Sequence, residues 1–115
     1  MITEITAQDY ELLDPATPKM IEFYSKTCGP CKMLSFVLKA IAQQKPDFPI
    51  YPIDFDANQE LKERLGVKGF PTMLFFKDGR EVSRDALTLG AAGIQEAFSY
   101  EKKQIRSILH RVLSI

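Results

Sequence analysis

An apolar run leads directly into a closely spaced cysteine pair: KMIEFY at residues 19–24 is followed by SKTCGPCK at residues 25–32. Because apolar side chains occupy successive positions, and therefore both faces, the first run predicts a strand that is covered on both sides. From Cys28 onward, apolar residues recur at helical spacing as far as Lys45, which predicts a helix. Cys28 and Cys31 are therefore expected at a strand-to-helix junction.

Other strand and helix patterns alternate with this junction along the chain. They are a short helix with a capping-box start at Thr6 and a stop at Asp14-Pro15, a buried strand at 50–54, a helix at 59–65 between a capping Asn58 and Gly66, a strand at 72–77, a turn at Asp78-Gly79 and an antiparallel strand at 81–89. This order predicts a three-layer α/β/α fold around a mixed sheet of four or five strands.

Apolar residues also recur at helical spacing through the C-terminal quarter of the chain. They are Ile94, Ala97, Phe98, Ile105, Ile108, Leu109 and Val112, and Ser99 could cap a second helix among them. We expect residues 91–115 to form an extended helical segment that packs on the sheet of a single domain spanning residues 1–115. The alternative is that this apolar stripe binds another protein.

Length and composition limit the classes of protein to consider. The chain has 115 residues, of which 45% are hydrophobic, enough for one domain with its own core. Fifteen basic residues balance fifteen acidic ones, so charge gives no argument for a nucleic-acid partner. No apolar stretch approaches the roughly 18–20 residues of a membrane helix, and the first residues lack the pattern of a secretory leader. We expect a cytoplasmic monomer without nucleic-acid or membrane partners.

The chain has two cysteines, Cys28 and Cys31. A bridge across two residues closes almost no loop and adds little stability, so the pair is expected to serve chemistry, with an inert structural pair as one alternative. At a helix N-terminus the free amides and the macrodipole favour a thiolate at Cys28. Cys31, one turn inside the helix, is expected to be more buried and less acidic. Half of a zinc site has the same spacing, but zinc needs four ligands and the chain has one histidine, His110, so no metal is expected.

Four motifs resemble those of the thioredoxin family, in the same order and at about the same spacing. They are FYSKTCGPCK at residues 23–32, GVKGFPT at 66–72, FFKDG at 75–79 and Gly90. The resemblance implies the thioredoxin fold and dithiol-disulfide exchange, with Cys28 as the attacking thiol and Cys31 as the resolving thiol. It also implies a cis bond before Pro71, which would face the cysteine pair.

The same resemblance implies a groove that holds an extended substrate peptide by backbone hydrogen bonds. Its residues would be Gly29, Pro30, Phe70, Pro71, Leu89, Gly90 and Ala91, with Phe55 and Asp56 near the same rim. The substrates would be protein disulfides. No cofactor is implied beyond the redox-active disulfide Cys28–Cys31. Because the chain has no dinucleotide-binding fingerprint, a separate electron donor of the thioredoxin-reductase type would be required.

Four residues depart from the family pattern. Thr27 stands where a Trp usually precedes the first cysteine, and Phe36 replaces a helix proline. Glu22 stands at the position of a buried Asp, and Pro52 stands where a Lys commonly accompanies that Asp. Glu22 lies in a strand that is apolar on both faces, so we expect burial to raise its pKa and leave it able to accept the proton of Cys31. The alternative is that Glu22 reaches solvent at the end of a short strand.

The sequence therefore predicts an enzyme that reduces protein disulfides. The Gly-Pro dipeptide between the cysteines favours a reducing potential, near ~−270 mV as in thioredoxin rather than ~−120 mV as in the oxidant DsbA. Two alternatives stay open at this point. One is a disulfide oxidase or isomerase, and the other is a non-catalytic thioredoxin-fold module that binds a partner.

Overall fold

The computed structural model describes residues 1–86 and 103–111. Its elements are α1 (Ala7–Glu11), β1 (Lys19–Tyr24), α2 (Gly29–Gln44), β2 (Ile50–Asp54), α3 (Gln59–Arg64), β3 (Thr72–Lys77) and β4 (Arg80–Ala86). Residues 103–111 are helical. The predictions for residues 87–102, which include the groove positions Leu89, Gly90 and Ala91, the apolar residues Ile94, Ala97 and Phe98, and the capping Ser99, lie outside the described residues, as does Val112.

The four strands form a mixed sheet in the order β2-β1-β3-β4, which confirms the predicted architecture. β1 runs parallel to β2 and antiparallel to β3, and β3 pairs antiparallel with β4. The N-terminal segment extends the β2 edge through two isolated parallel bridges, Ile2 to Ile50 and Ile5 to Ile53. β1 is therefore a central strand, as its continuous apolar pattern predicts.

Two hydrophobic clusters cover the two faces of the sheet. On one face α2 packs with the helical segment 103–111; the buried residues of this cluster are Met20, Leu34, Val37, Leu38, Ile41, Phe48, Ile50, Met73, Phe75, Ile105, Ile108 and Leu109. On the other face the cluster comprises Ile5, Ile21, Phe23, Ile53, Phe55, Leu61, Val67 and Leu74. Because side chains alternate along a strand, Glu22 lies on the face of Met20, the face that α2 covers.

Two local predictions need correction. The capping box at Thr6 and Asp9 is present, but α1 ends at Glu11, and Leu12 is 84% exposed, so the helix is shorter than its apolar pattern predicted. Asn58 occupies the N-cap position of α3 without a side-chain capping bond. Its amide instead accepts from the Ala7 amide at 2.9 Å and donates to the Asp54 carbonyl at 2.9 Å, because α1 lies close enough to compete for it.

Packing of the helical segment 103–111 can be tested at Ile105, which is fully buried in the α2 cluster. Replacing Ile105 with Ala removes three buried carbons and leaves a cavity, so Ile105→Ala is expected to lower the free energy of unfolding by about 2–5 kcal/mol in urea denaturation. The control is Ser107→Ala on the exposed face of the same segment, which is expected to cost well under 1 kcal/mol. Equal stabilities of the two variants would favour the alternative that this stripe binds another protein.

Candidate active site

The two cysteines lie at the N-terminus of α2, directly after the loop that leaves β1. Cys28 is the N-cap residue, Gly29 begins the helix, and Pro30 occupies the first turn, where a proline disrupts no intrahelical hydrogen bond. The cysteines form a disulfide, with their Cα atoms 5.2 Å apart. The Cys28 sulfur also accepts a hydrogen bond from the Cys31 amide at 3.1 Å. A backbone donor and the helix terminus therefore both favour negative charge on Cys28.

Burial does not distinguish the two cysteines, contrary to expectation. Cys28 and Cys31 are each 6% exposed in the closed disulfide. The position of Cys31 one turn inside the helix predicted greater burial for Cys31, and the closed disulfide does not show this difference. The difference in reactivity between the thiols therefore rests on the position of Cys28 at the helix terminus.

Hydrogen bonds tie the loop before Cys28 to the end of β2. The Ser25 hydroxyl donates to the Asp56 carboxylate at 2.9 Å and lies 3.3 Å from the Thr27 hydroxyl. The Cys28 amide donates to the Ser25 carbonyl at 3.2 Å. Thr27, at the position where the resemblance has Trp, is thus part of a small polar network. Asp56, expected near the rim of the groove, contacts this loop directly.

Pro71 lies at the same end of the sheet as the cysteine loop. The bond between Phe70 and Pro71 is cis. Thr72 follows Pro71 and pairs with Phe23, near the end of β1, so the strand register brings Pro71 to the point where the cysteine loop departs. Phe70 is 41% exposed and packs edge-to-face on Phe55, with ring centroids 5.1 Å apart. The predicted rim residues Phe55 and Phe70 are therefore in contact.

Lys62 of α3 adds a positive charge to this aromatic pair. Its ammonium lies 4.0 Å from the centroid of the Phe55 ring, in the geometry of a cation–π interaction. The other half of the predicted groove, Leu89, Gly90 and Ala91, lies outside the described residues. The structure thus brings Gly29, Pro30, Phe70 and Pro71 to one end of the sheet and leaves the remaining groove positions as predictions.

Glu22 is buried in the centre of the sheet, and the alternative that it reaches solvent does not hold. It is 5% exposed and pairs with Pro52 across β1 and β2. Together with Cys31 it lines an open cavity of about 320 Å³. Burial, and secondarily the nearby Glu4, raises the pKa of Glu22 to about 7. A carboxyl group that titrates near neutral pH beside a cysteine is suited to proton transfer.

Sequence reasoning missed Glu4, which lines the same cavity. The Tyr24 hydroxyl donates a hydrogen bond to its carboxylate at 2.5 Å. Burial, followed by this hydrogen bond to Glu4, raises the pKa of Tyr24. Residues 2–6 show no regular alternation of polar and apolar side chains, so the sequence gives no local signal that this segment runs alongside β2.

Neither a metal site nor a membrane-spanning helix is found in residues 1–86 and 103–111. Within these ranges no group of three or more His, Cys, Asp or Glu side chains is arranged to hold a metal ion. His110 is exposed on the helical segment 103–111, off the buried stripe of that segment. It is far in sequence from Cys28 and Cys31. Over the same part of the chain, no helix combines the length and the apolar character needed to cross a bilayer.

Comparison with known proteins identifies the family. The family model described as Thioredoxin matches residues 2–98, which include both cysteines and Pro71. The chain belongs to the thioredoxin family. Thioredoxin from Chlamydia muridarum is 45% identical over 65 residues, or 56% of this chain and 64% of that protein, so the match spans just under two thirds of that relative. Thioredoxin from Mycobacterium bovis is 33% identical over 90 residues, covering 77% of this chain and 78% of that protein.

Solved thioredoxin structures have the same fold. The structure of Fasciola hepatica thioredoxin superposes with a TM-score of 0.75 and 27% identity, covering 93% of this chain and 94% of that one. The structure of thioredoxin O2 from Arabidopsis thaliana in the oxidised state gives a TM-score of 0.76 at 19% identity, over 96% of this chain and 93% of that one. The second likeness concerns the fold alone, and the fold agrees with the sequence prediction.

The order of the two thiols is the first property of this thioredoxin-family site to test. In the reduced protein near pH 7, iodoacetamide is expected to modify Cys28 before Cys31, because the helix terminus and the Cys31 amide stabilise the Cys28 thiolate. Peptide mapping by mass spectrometry after short labelling times measures the order. Faster labelling of Cys31 would reverse the assignment of attacking and resolving thiols.

The buried Glu22 predicts a pH-dependent effect on stability. Because its pKa rises from 4.5 to about 7 on folding, the folded state holds a proton that the unfolded state releases, and stability falls as the pH rises between these values. Relative to the parent, Glu22→Gln is expected to gain up to about 3 kcal/mol in free energy of unfolding between about pH 4 and pH 8. Denaturant unfolding of the oxidised protein at several pH values measures this difference, and a pH-independent difference would show that Glu22 titrates normally.

Proposed function

We propose that the protein is a thiol-disulfide oxidoreductase that reduces protein disulfides through Cys28 and Cys31. The observation that carries this proposal is the disulfide at the N-terminus of α2, in which the Cys28 sulfur accepts the Cys31 amide. That amide is already placed to stabilise a Cys28 thiolate when the bridge opens. Membership of the thioredoxin family supports the same activity.

The reaction proceeds through two exchanges. The Cys28 thiolate attacks one sulfur of the substrate disulfide, that bond breaks, and the departing substrate sulfur takes a proton from solvent. Cys31 then loses its proton, and its thiolate attacks the Cys28 sulfur of the mixed disulfide. The second substrate sulfur departs, and Cys28 and Cys31 close their bridge. Two electrons pass from the dithiol to the substrate, which leaves as a dithiol.

Glu22 accepts the Cys31 proton in this proposal, directly or through a water molecule. Both residues line the same cavity, and burial together with Glu4 raises the pKa of Glu22 to about 7. A base of this strength is half ionised near neutral pH and still binds the proton firmly. The open cavity then gives the proton a route to solvent. Glu22 thus serves the second exchange and not the first.

We propose that the rim of the site binds the substrate. Gly29, Pro30, Phe70 and Pro71, with the predicted Leu89, Gly90 and Ala91, would hold an extended peptide around its disulfide.

The protein leaves each cycle oxidised, so it needs a thioredoxin-reductase-type electron donor. No cofactor other than the Cys28–Cys31 pair takes part. We further propose that the protein acts as a monomer in the cytoplasm, without nucleic-acid or membrane partners.

Reduction of insulin by dithiothreitol tests the activity. The parent protein is expected to accelerate precipitation of the insulin B chain, and Cys28→Ser is expected to lose this acceleration because it lacks the attacking sulfur. Cys31→Ser is expected to accumulate a mixed disulfide with substrate, visible as a dithiothreitol-sensitive mass adduct. A parent protein that folds but does not accelerate the reaction would favour a non-catalytic binding module. If the protein reactivates scrambled ribonuclease faster than it reduces insulin, the result would favour an isomerase.

A further inference from the structure

The cavity beside Cys31 contains a second carboxylate besides that of Glu22. Glu4, Glu22, Tyr24, Cys31 and Pro52 all line this open space of about 320 Å³. Glu4 comes from the N-terminal segment, whereas Glu22 and Tyr24 lie on β1 and Cys31 lies on α2. Three separate parts of the chain thus place two acids and the resolving sulfur around one cavity.

Backbone pairing places Glu4 at this position. The Thr3 amide donates to the Ile50 carbonyl at 3.0 Å, and the Ile5 amide donates to the Pro52 carbonyl at 2.9 Å. Ile5 is buried in the cluster on the α1 and α3 face. Because neighbouring side chains of an extended segment point to opposite faces, Glu4 lies on the α2 face, with Glu22.

Tyr24 holds the carboxylate of Glu4 on the cavity wall. Its hydroxyl donates to Glu4 at 2.5 Å, and Tyr24 stands two residues after Glu22 on the same face of β1. Across the strand pair, Pro52 faces Glu22 and offers no charged group to it. The position where the family pattern has a lysine therefore supplies no positive charge, and the other carboxylate that lines the cavity is that of Glu4.

The other charged side chains around the cavity are those of Lys26 and Lys32. Lys26 is largely exposed and lies 3.9 Å from Asp54 at the end of β2, and Lys32 is exposed on α2. Both ammonium groups are exposed, as is Glu4, so solvent screens all three charges, and Lys26 has Asp54 as its nearest partner. Burial and then Glu4 are the causes that act on Glu22, and both raise its pKa. A negative charge at Glu4 opposes a second negative charge at Glu22.

We propose that Glu4, held on the cavity wall by Tyr24, is a positioning residue that acts through Glu22 and determines the pH range in which the Cys31 step runs. This inference rests on the proposed disulfide exchange. In that step the S–H proton of Cys31 passes to the Glu22 carboxylate, and the sulfur attacks Cys28. Burial, and secondarily the charge on Glu4, keeps the proton on Glu22 until the pH approaches neutrality. Without that charge, Glu22 ionises at lower pH and binds the proton less firmly.

The experiment is a pH series on Glu4→Gln, which removes the charge and keeps the size of an exposed side chain. The reduced full-length protein is mixed with a fluorescently labelled disulfide peptide, and acid quenching follows formation and decay of the mixed disulfide. The pH midpoint of decay is expected to fall by roughly 0.5–1 unit relative to the parent. Tyr24→Phe, which frees Glu4 from the wall, is expected to shift the midpoint in the same direction by less.

Glu63→Gln is the matched control, because Glu63 is an exposed acid on α3 that does not line the cavity. Its midpoint is expected to equal that of the parent. A Glu4→Gln midpoint that equals the parent value, or lies above it, would overturn the proposal. So would equal shifts in Glu4→Gln and Glu63→Gln, because these would reflect net charge alone.

Carbon-13 NMR of the Glu22 carboxyl in the oxidised protein separates the possible failures. The Glu22 midpoint is expected to fall in Glu4→Gln by the same amount as the kinetic midpoint. If the NMR midpoint falls while mixed-disulfide decay keeps its pH profile, Glu22 does not serve Cys31 and the inference is wrong, although disulfide reduction stands. If the parent forms no mixed disulfide at all, the proposed function itself fails, and the inference fails with it.

Discussion

Packing of one face of α2 on the sheet is the interaction on which the site depends. Leu34, Val37, Leu38 and Ile41 are buried against the central strands, so the helix axis and its first turn are held in place. At that first turn the unpaired amides meet the Cys28 sulfur, and the Cys31 amide bonds to it. The thiolate is thus stabilised by backbone groups that the core positions, and this requires no cationic side chain.

Burial of Glu22 opposes stability in the same core. Its carboxyl lies on the α2 face of β1, where an ionised group is costly because it loses its hydration. An amide of the same shape would stabilise the fold at neutral pH, yet it could not accept a proton. Proteins commonly tolerate such destabilising groups at active sites, where a shifted pKa is useful. The open cavity beside Cys31 moderates the cost, and in the proposed mechanism it is the route by which the proton leaves.

Local sequence patterns correctly predicted the helices and turns that depend on nearby residues. The capping box at Thr6, the helical period of α2 and the Asp78-Gly79 turn were correct, because each depends mainly on residues close in sequence. The apolar run of β1 was also correct, because a strand covered on both faces needs apolar side chains at successive positions. Predictions failed where distant segments compete or cooperate. The Asn58 side chain bonds to Ala7 instead of capping α3, and Glu4 lines the same cavity as Glu22 only because residues 2–5 run along β2. Cys28 and Cys31 are equally buried in the closed disulfide, although their positions in the helix predicted greater burial for Cys31.

The reduction potential of the Cys28–Cys31 pair tests the central claim, that this site reduces protein disulfides, most directly. Equilibration with glutathione buffers of known ratio, followed by acid quenching and mass analysis, measures it. A reductase with this dipeptide between its cysteines is expected near ~−270 mV, the value of thioredoxin. A potential near ~−120 mV, the value of the oxidant DsbA, would contradict the account, because such a dithiol would accept electrons from substrate thiols rather than donate them.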